Sequence, residues 1–72
     1  MVQVITVAAT AGGWAVKHDV AANAMLFTSG AKAERAARKL GVTLAQTGAA
    51  TEIQIYLRDG SLGGRFVCPV EA

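Results

Sequence analysis

The segment from Ile53 to Phe66 constrains the fold most, because apolar residues alternate on both sides of Asp59-Gly60. An Asp-Gly pair favours a type I′ turn with a two-residue loop. That loop opposes Leu57 to Leu62, Ile55 to Gly64 and Ile53 to Phe66, and these six form the core face of a hairpin. The reverse face pairs Tyr56 with Gly63 and Gln54 with Arg65, with Arg58 beside the turn. This register puts every large aliphatic inside and every charge outside, and a slip of one residue would reverse both. Tyr56 is then expected to cover the bare backbone of Gly63. Pro69 ends the second strand, since it has no N–H to donate.

A second hairpin is read at the other end. Val2 to Ala8 is rich in β-branched residues, which suit a pleated, half-buried surface. Thr10-Ala11-Gly12-Gly13 supplies the turn, with a loop of two or four residues. Either length puts Ala9 opposite Trp14, Val7 opposite Val16 and Ile5 opposite His18. Trp14, Val16, Val7 and Ile5 share one face, while Lys17 and Thr6 fall on the other. Asp19 to Asn23 reads as a connector. Ala24 to Thr28 reads as a third short strand, apolar on both faces and therefore of open register.

Ala31 to Thr47 repeats with a helical period. Ser29 is the N-cap candidate, its hydroxyl accepting from a free first-turn N–H. Lys32 stands where a capping box would have Glu. Ala33, Ala36, Ala37, Leu40 and Leu44 form a small apolar face, and Lys32, Arg35, Arg38 and Lys39 form a basic arc opposite it. Gly41 weakens the middle by about 1 kcal/mol relative to Ala. Gly48 ends the helix. The expected architecture is α+β, β-β-β-α-β-β, a mostly antiparallel sheet with one helix packed on one face.

The 72 residues make one small domain, 1–72. A chain of this length buries only about 60% of its unfolded surface, so partner chains are expected to help complete the core. Hydrophobic residues make up 53% of the sequence, but alanine supplies much of that figure. The net charge of +2 permits contact with anions without requiring it. With Cys68 as the single cysteine, neither an internal disulfide nor a cysteine-based zinc site can form. Met1 to Val7 carries no Lys or Arg and reads as a strand rather than a signal peptide. No run approaches the roughly 20 apolar residues of a membrane span. The expectation is a cytoplasmic protein with no membrane contact.

Groups for catalysis are sparse. His18 lies on the inward parity near a strand end and reads as a packed or edge histidine. Cys68, also inward, reads as a small core residue. Asp19, Glu34, Glu52, Asp59 and Glu71 are not spaced as helix or strand pairs, and Asp59 is explained by its turn. Gly12-Gly13 and Gly63-Gly64 match neither a phosphate loop nor a dinucleotide fingerprint. No enzyme, metal, cofactor or small-molecule substrate is expected.

The pattern Trp14-Ala15-Val16-Lys17, then Phe27-Thr28-Ser29 before an alanine-rich helix, then an aliphatic strand closing on Arg58-Asp59-Gly60, resembles a family of small bacterial proteins classed as a domain of unknown function. The resemblance runs from Val4 to Phe66. Trp14, Val16, Lys17, Phe27, Ser29, Ala33, Ala36, Asp59 and Gly60 carry it. Lys32 departs from a typical Glu, and the last strand lacks the basic residues that often crowd it in the family. The resemblance implies a fold and no established activity. Three strands followed by a helix is also similar in topology to the arm-type DNA-binding domains of phage integrases.

Three surfaces remain. Lys17, Gln54, Tyr56, Arg58 and Arg65 form an outer sheet face whose three cations and one aromatic could hold phosphates and stack a base. The helix arc of Lys32, Arg35, Arg38 and Lys39 could follow a phosphate backbone. Val4, Ala8, Ala15 and Val67 make the outer face partly apolar, and one helix cannot cover both sides of a sheet. The leading expectation is a non-enzymatic interaction module that binds a protein partner or itself, as a homodimer, through an open sheet face or edge. The alternative is a nucleic-acid-binding domain.

Overall fold

The computed structural model of the chain describes residues 2–19 and 23–70. Among these residues five strands and one helix follow the order β1 (Gln3–Thr10), β2 (Gly13–His18), β3 (Met25–Phe27), α1 (Gly30–Gln46), β4 (Thr51–Tyr56) and β5 (Leu62–Cys68). The α+β, β-β-β-α-β-β architecture expected from the sequence is the one observed. Val20 to Ala22 of the expected connector, and Glu71 of the carboxylates, lie outside the described residues.

The strands form one sheet in the order β3-β2-β1-β4-β5. All neighbours are antiparallel except β1 and β4, which are parallel. A parallel pair needs a crossover, and α1 provides it by carrying the chain from the β3 edge to the middle of the sheet. The helix lies on one face only. There Ile5, Val7, Val16 and Ile53 meet Ala33 and Ala37, and Trp14, Phe27, Leu40, Leu44, Ile55 and Cys68 pack around them.

The first hairpin has the expected register, with Ile5 opposite His18, Val7 opposite Val16 and Ala9 opposite Trp14. Thr10 faces Gly13, so the loop is the two residues Ala11-Gly12. The open register of β3 is settled by Phe27 opposite Trp14, which leaves Leu26 on the face away from the helix.

Ser29 caps α1, its Oγ accepting from the Lys32 N–H at 3.1 Å. At the other end Gly48 has φ 98°, and the Gly48 and Ala49 N–H groups donate to Ala45 and Leu44. This satisfies carbonyls that the helix end would otherwise leave free. The buried stripe is Ala33, Ala37, Gly41 and Ala45, spaced by four, with Ala36, Leu40 and Leu44 half-buried beside it. Gly41 is therefore a contact position as well as a weak point of the helix. A Cβ there would stand 3.0 Å from Cys68 Sγ and 3.1 Å from Ile53 Cδ1.

The last hairpin departs from expectation at its turn. Gly60 N–H donates to Leu57 O, Leu57 N–H donates to Ser61 O, and Gly60 has φ 88°. No non-glycine among the described residues has positive φ, so Asp59 does not adopt the type I′ conformation. The loop has three residues, a type I turn followed by glycine in the left-handed region. Asp59 Oδ1 explains the choice by accepting from both Ser61 N–H at 2.9 Å and Ser61 Oγ at 2.6 Å.

The three-residue loop shifts the pairing near the turn by one. Tyr56 faces Leu62, while Ile55 still faces Gly64 and Ile53 still faces Phe66. Gly63 is the extra residue of a bulge that absorbs the shift. Two expected core positions are thereby corrected: Leu57 and Leu62 are 48% and 52% exposed. Leu62 crosses to the Tyr56 face. The expected Tyr56–Gly63 pair is also replaced, for a Cβ on Gly63 would fall 2.6 Å from Leu57 Cδ2. Leu57, not Tyr56, covers that glycine.

Candidate functional site

The sheet face opposite α1 is built of three cross-strand rows. The first is Leu26, Ala15, Ala8, Tyr56 and Leu62, and it spans all five strands. Next to it runs a polar row of Lys17, Thr6, Gln54 and Arg65. Beyond that lie Val4, Glu52 and Val67. No helix covers these rows among the described residues, and Leu26 is 76% exposed and Val67 59%.

Four of the residues read as one basic face, Lys17, Gln54, Tyr56 and Arg65, do share this surface. Arg58 does not. It sits in the turn after β4, with its guanidinium 5.7 Å from the centre of the Trp14 ring, on the helix side. Arg65 is on the face but is held: its Nη2 donates to Glu52 Oε1 at 2.6 Å. Gln54 Nε2 donates to the other Glu52 oxygen, and the Tyr56 hydroxyl donates to Gln54 Oε1 at 2.8 Å. A chain of hydrogen bonds therefore runs along β4 from Tyr56 to Glu52 and across to Arg65. Glu52 was missed as a member of this surface. Its signal was legible, since Glu52 lies diagonal to Arg65 once Gln54 is set opposite it.

Two carboxyls among the described residues are shifted, one on the sheet and one in the β4–β5 turn. The Arg65 guanidinium, and then the Gln54 amide, hold Glu52 below the usual carboxylate range, and Glu52 in turn raises Arg65. The Ser61 hydroxyl and N–H hold Asp59 below its ordinary value. Both carboxyls bind protons more weakly folded than unfolded. The stability they contribute is full above about pH 5 and is lost as pH falls through the carboxylate range. Glu52→Gln is accordingly expected to melt below the parent at neutral pH and to converge on it in acid, once the parent's own lowered carboxyl has taken up its proton. Thermal melts followed by circular dichroism between those limits check this; a constant gap across the series would disconnect Glu52 from the acid limb.

The helix cations divide into two flanks. Arg38 leans toward β5, its Nη2 3.7 Å from Glu34 Oε1 and its guanidinium 4.1 Å from the Phe66 ring centre. Lys32, Arg35 and Lys39 lie on the β3 side, where with Phe27 and Ala36 they line a shallow groove of about 340 Å³. All four stem from one arc of the helix, but Arg38 turns to β5 and the other three line the groove beside Phe27.

No family model matches this chain, and no curated protein or solved structure does. Seven of the nine residues that carry the sequence resemblance have structural jobs here. Trp14, Val16, Phe27 and Ala33 pack in or around the core, Ser29 caps the helix, and Asp59 and Gly60 make the turn.

The remaining chemical groups have packing partners. His18 Nε2 is hydrogen-bonded to Gln3 Oε1, with Asp19 Oδ1 at 3.4 Å. Cys68 packs beside Gly41 and Ile53. Among the described residues no cluster of three His, Cys, Asp or Glu is placed to hold a metal ion, and no helix is long and apolar enough to cross a membrane.

Proposed function

We propose that this chain is a non-enzymatic interaction module that pairs with a second copy of itself through the open face of its sheet. The observation that carries the proposal is the uncovered apolar row Leu26, Ala15, Ala8, Tyr56 and Leu62. Its order suits self-pairing. Small residues sit on β2 and β1, and large ones on β3, β4 and β5. A two-fold axis parallel to β1 sets β1 on β1, β2 on β4 and β3 on β5 of the second copy. Tyr56 then meets Ala15, Leu26 meets Leu62, and Ala8 meets Ala8. The tyrosine ring falls on an alanine and the leucines pack together at the rim, across the roughly 10 Å spacing of stacked sheets. The same axis brings Lys17 over Gln54 and within a row of Glu52, so no like charges are opposed.

The face is of modest size. Five strands about 4.8 Å apart and about 20 Å long offer roughly 500 Å² of projected area per copy. Stable complexes use about 800 Å² per partner, so the face is small for an interface and its affinity rests on how well Tyr56 and the leucines pack. The nucleic-acid reading has less support. With Arg65 bound to Glu52 and Arg58 turned to Trp14, Lys17 is the one cation of that face without an acidic partner among the described residues. A single cysteine fits a reducing compartment such as the cytoplasm.

Sedimentation equilibrium from about 5 to about 500 µM tests the proposal, and a monomer throughout would overturn it. Ala15→Glu is expected to weaken association at least about tenfold by desolvating a charge at the centre of the face. Leu62→Glu should do the same from the rim, with melting curves showing that both variants fold. Salt-sensitive oligonucleotide binding by a monomeric parent, lost in Lys17→Ala, would transfer the face to nucleic acid.

A further inference from the structure

The β3 edge carries an inference that goes beyond self-pairing and does not depend on it. β3 is the end of the sheet order, so the backbone groups on its outer side have no strand partner among the described residues. Beside that edge, on the helix side, lies the groove lined by Phe27, Lys32, Arg35, Ala36 and Lys39. Its floor is a phenylalanine ring and an alanine, and its rim is three exposed cations. None of the three has an acidic partner within ion-pair distance among the described residues, unlike Arg38 and Arg65. An edge strand next to an apolar groove is what strand addition uses: backbone bonds hold the guest, and alternate guest side chains enter the groove.

We propose that this groove binds an extended acidic peptide, added as a sixth strand along β3. The spacing of the cations defines the sequence it takes. Lys32 and Lys39 are seven residues apart on the helix, a rise of about 10.5 Å, with Arg35 between them. Residues on one face of an extended peptide recur about every 6.7 Å, so three of them cover about 13 Å. An acidic residue, an apolar residue and a second acidic residue at alternate positions thus set the apolar side chain on Phe27 and Ala36 and the carboxylates on the rim. A polynucleotide would use the cations but leave the apolar floor and the strand edge unused. β3 has only three residues, so few backbone bonds form and the affinity is of order 10–100 µM and salt-dependent.

The test is an amide NMR titration of the full chain with the blocked peptide Ser-Glu-Thr-Leu-Thr-Glu-Ser, run in the Ala15→Glu variant so that self-pairing does not intervene. Shifts are expected at Leu26, Phe27, Arg35, Ala36 and Lys39, with at least about tenfold weaker binding between about 50 and about 300 mM salt. Lys32→Glu with Arg35→Glu should abolish them; both side chains are exposed, so the fold is retained. N-methylation of one alternate set of peptide residues should remove binding and methylation of the other set leave it, because only one set points its N–H groups at β3. No shift at millimolar peptide, equal binding of the peptide with Lys for Glu, or equal loss on methylating either set would overturn the proposal. So would tighter binding of a deoxythymidine decamer to the same residues, which would assign the groove to nucleic acid.

Discussion

Ile53→Ala is expected to leave the chain largely unfolded. Ile53 is fully buried on β4, between Ile5 on β1 and Phe66 on β5, and its Cδ1 lies against the Gly41 position of the helix. Truncating such a residue costs about 2–5 kcal/mol, because the cavity collapses only in part. A single core in a domain this small rarely supplies more than about 3–5 kcal/mol. The two ranges overlap, so the loss consumes most or all of the margin. Ile53→Val, at about 0.5–1.5 kcal/mol, should remain folded with a lower midpoint. Urea titrations followed by circular dichroism separate the three proteins, and an Ile53→Ala loss under about 1 kcal/mol would show that the core is centred elsewhere.

The next largest effect is expected at Gly13, from backbone rather than from burial. Gly13 begins β2 with φ 155°, and a Cβ there would stand 2.4 Å from the Phe27 carbonyl oxygen. The obstacle is main chain of the neighbouring strand, so no rotamer change relieves it. Gly13→Ala must push β3 away from β2 or twist the start of β2, at about 2–4 kcal/mol. Its neighbour is the control. A Cβ on Gly12 meets nothing within 4 Å, and Gly12 is not among the positive-φ glycines. Gly12→Ala should be neutral or stabilising by up to about 1 kcal/mol, through a less mobile unfolded chain. Similar melting temperatures for the two variants would refute the account. Peptide binding at the β3 edge should weaken in Gly13→Ala and persist in Gly12→Ala.

The same pair of glycines shows how much of the fold was legible. That Gly12-Gly13 marks a turn follows from composition and from the strands on either side. That only Gly13 is obligatory does not, because its constraint is the Phe27 carbonyl 14 residues away. The candidate surfaces divide in the same way. Lys17, Gln54, Tyr56 and Arg65 could be placed on one face by counting residues from a turn. The Glu52–Arg65 pair needed only a diagonal step from that register. The groove between Phe27 and the helix could not be read, since it depends on which strand ends the sheet and on which side of the helix faces it. For the same reason the four helix cations read as one arc, although the packed helix sends Arg38 to Phe66 and the other three to Phe27.

Local chemistry in the sequence determined the element order, the Ser29 cap, the Gly48 stop and the register of the first hairpin, for each depends on a few neighbouring residues and on periods of two and 3.6. Three things were decided only in the folded chain. The parallel pairing of β1 with β4 needs the crossover by α1, and no local pattern records which strand the chain returns to. Gly41 is a close contact to Ile53 and Cys68 because the helix settles on that line of the sheet. Leu62 faces outward because Asp59 accepts twice from Ser61, which closes the turn at three residues and leaves Gly63 as a bulge. One added residue reverses the facing of a strand end, so a hydrogen bond in a turn moves a leucine from the expected core to the open face.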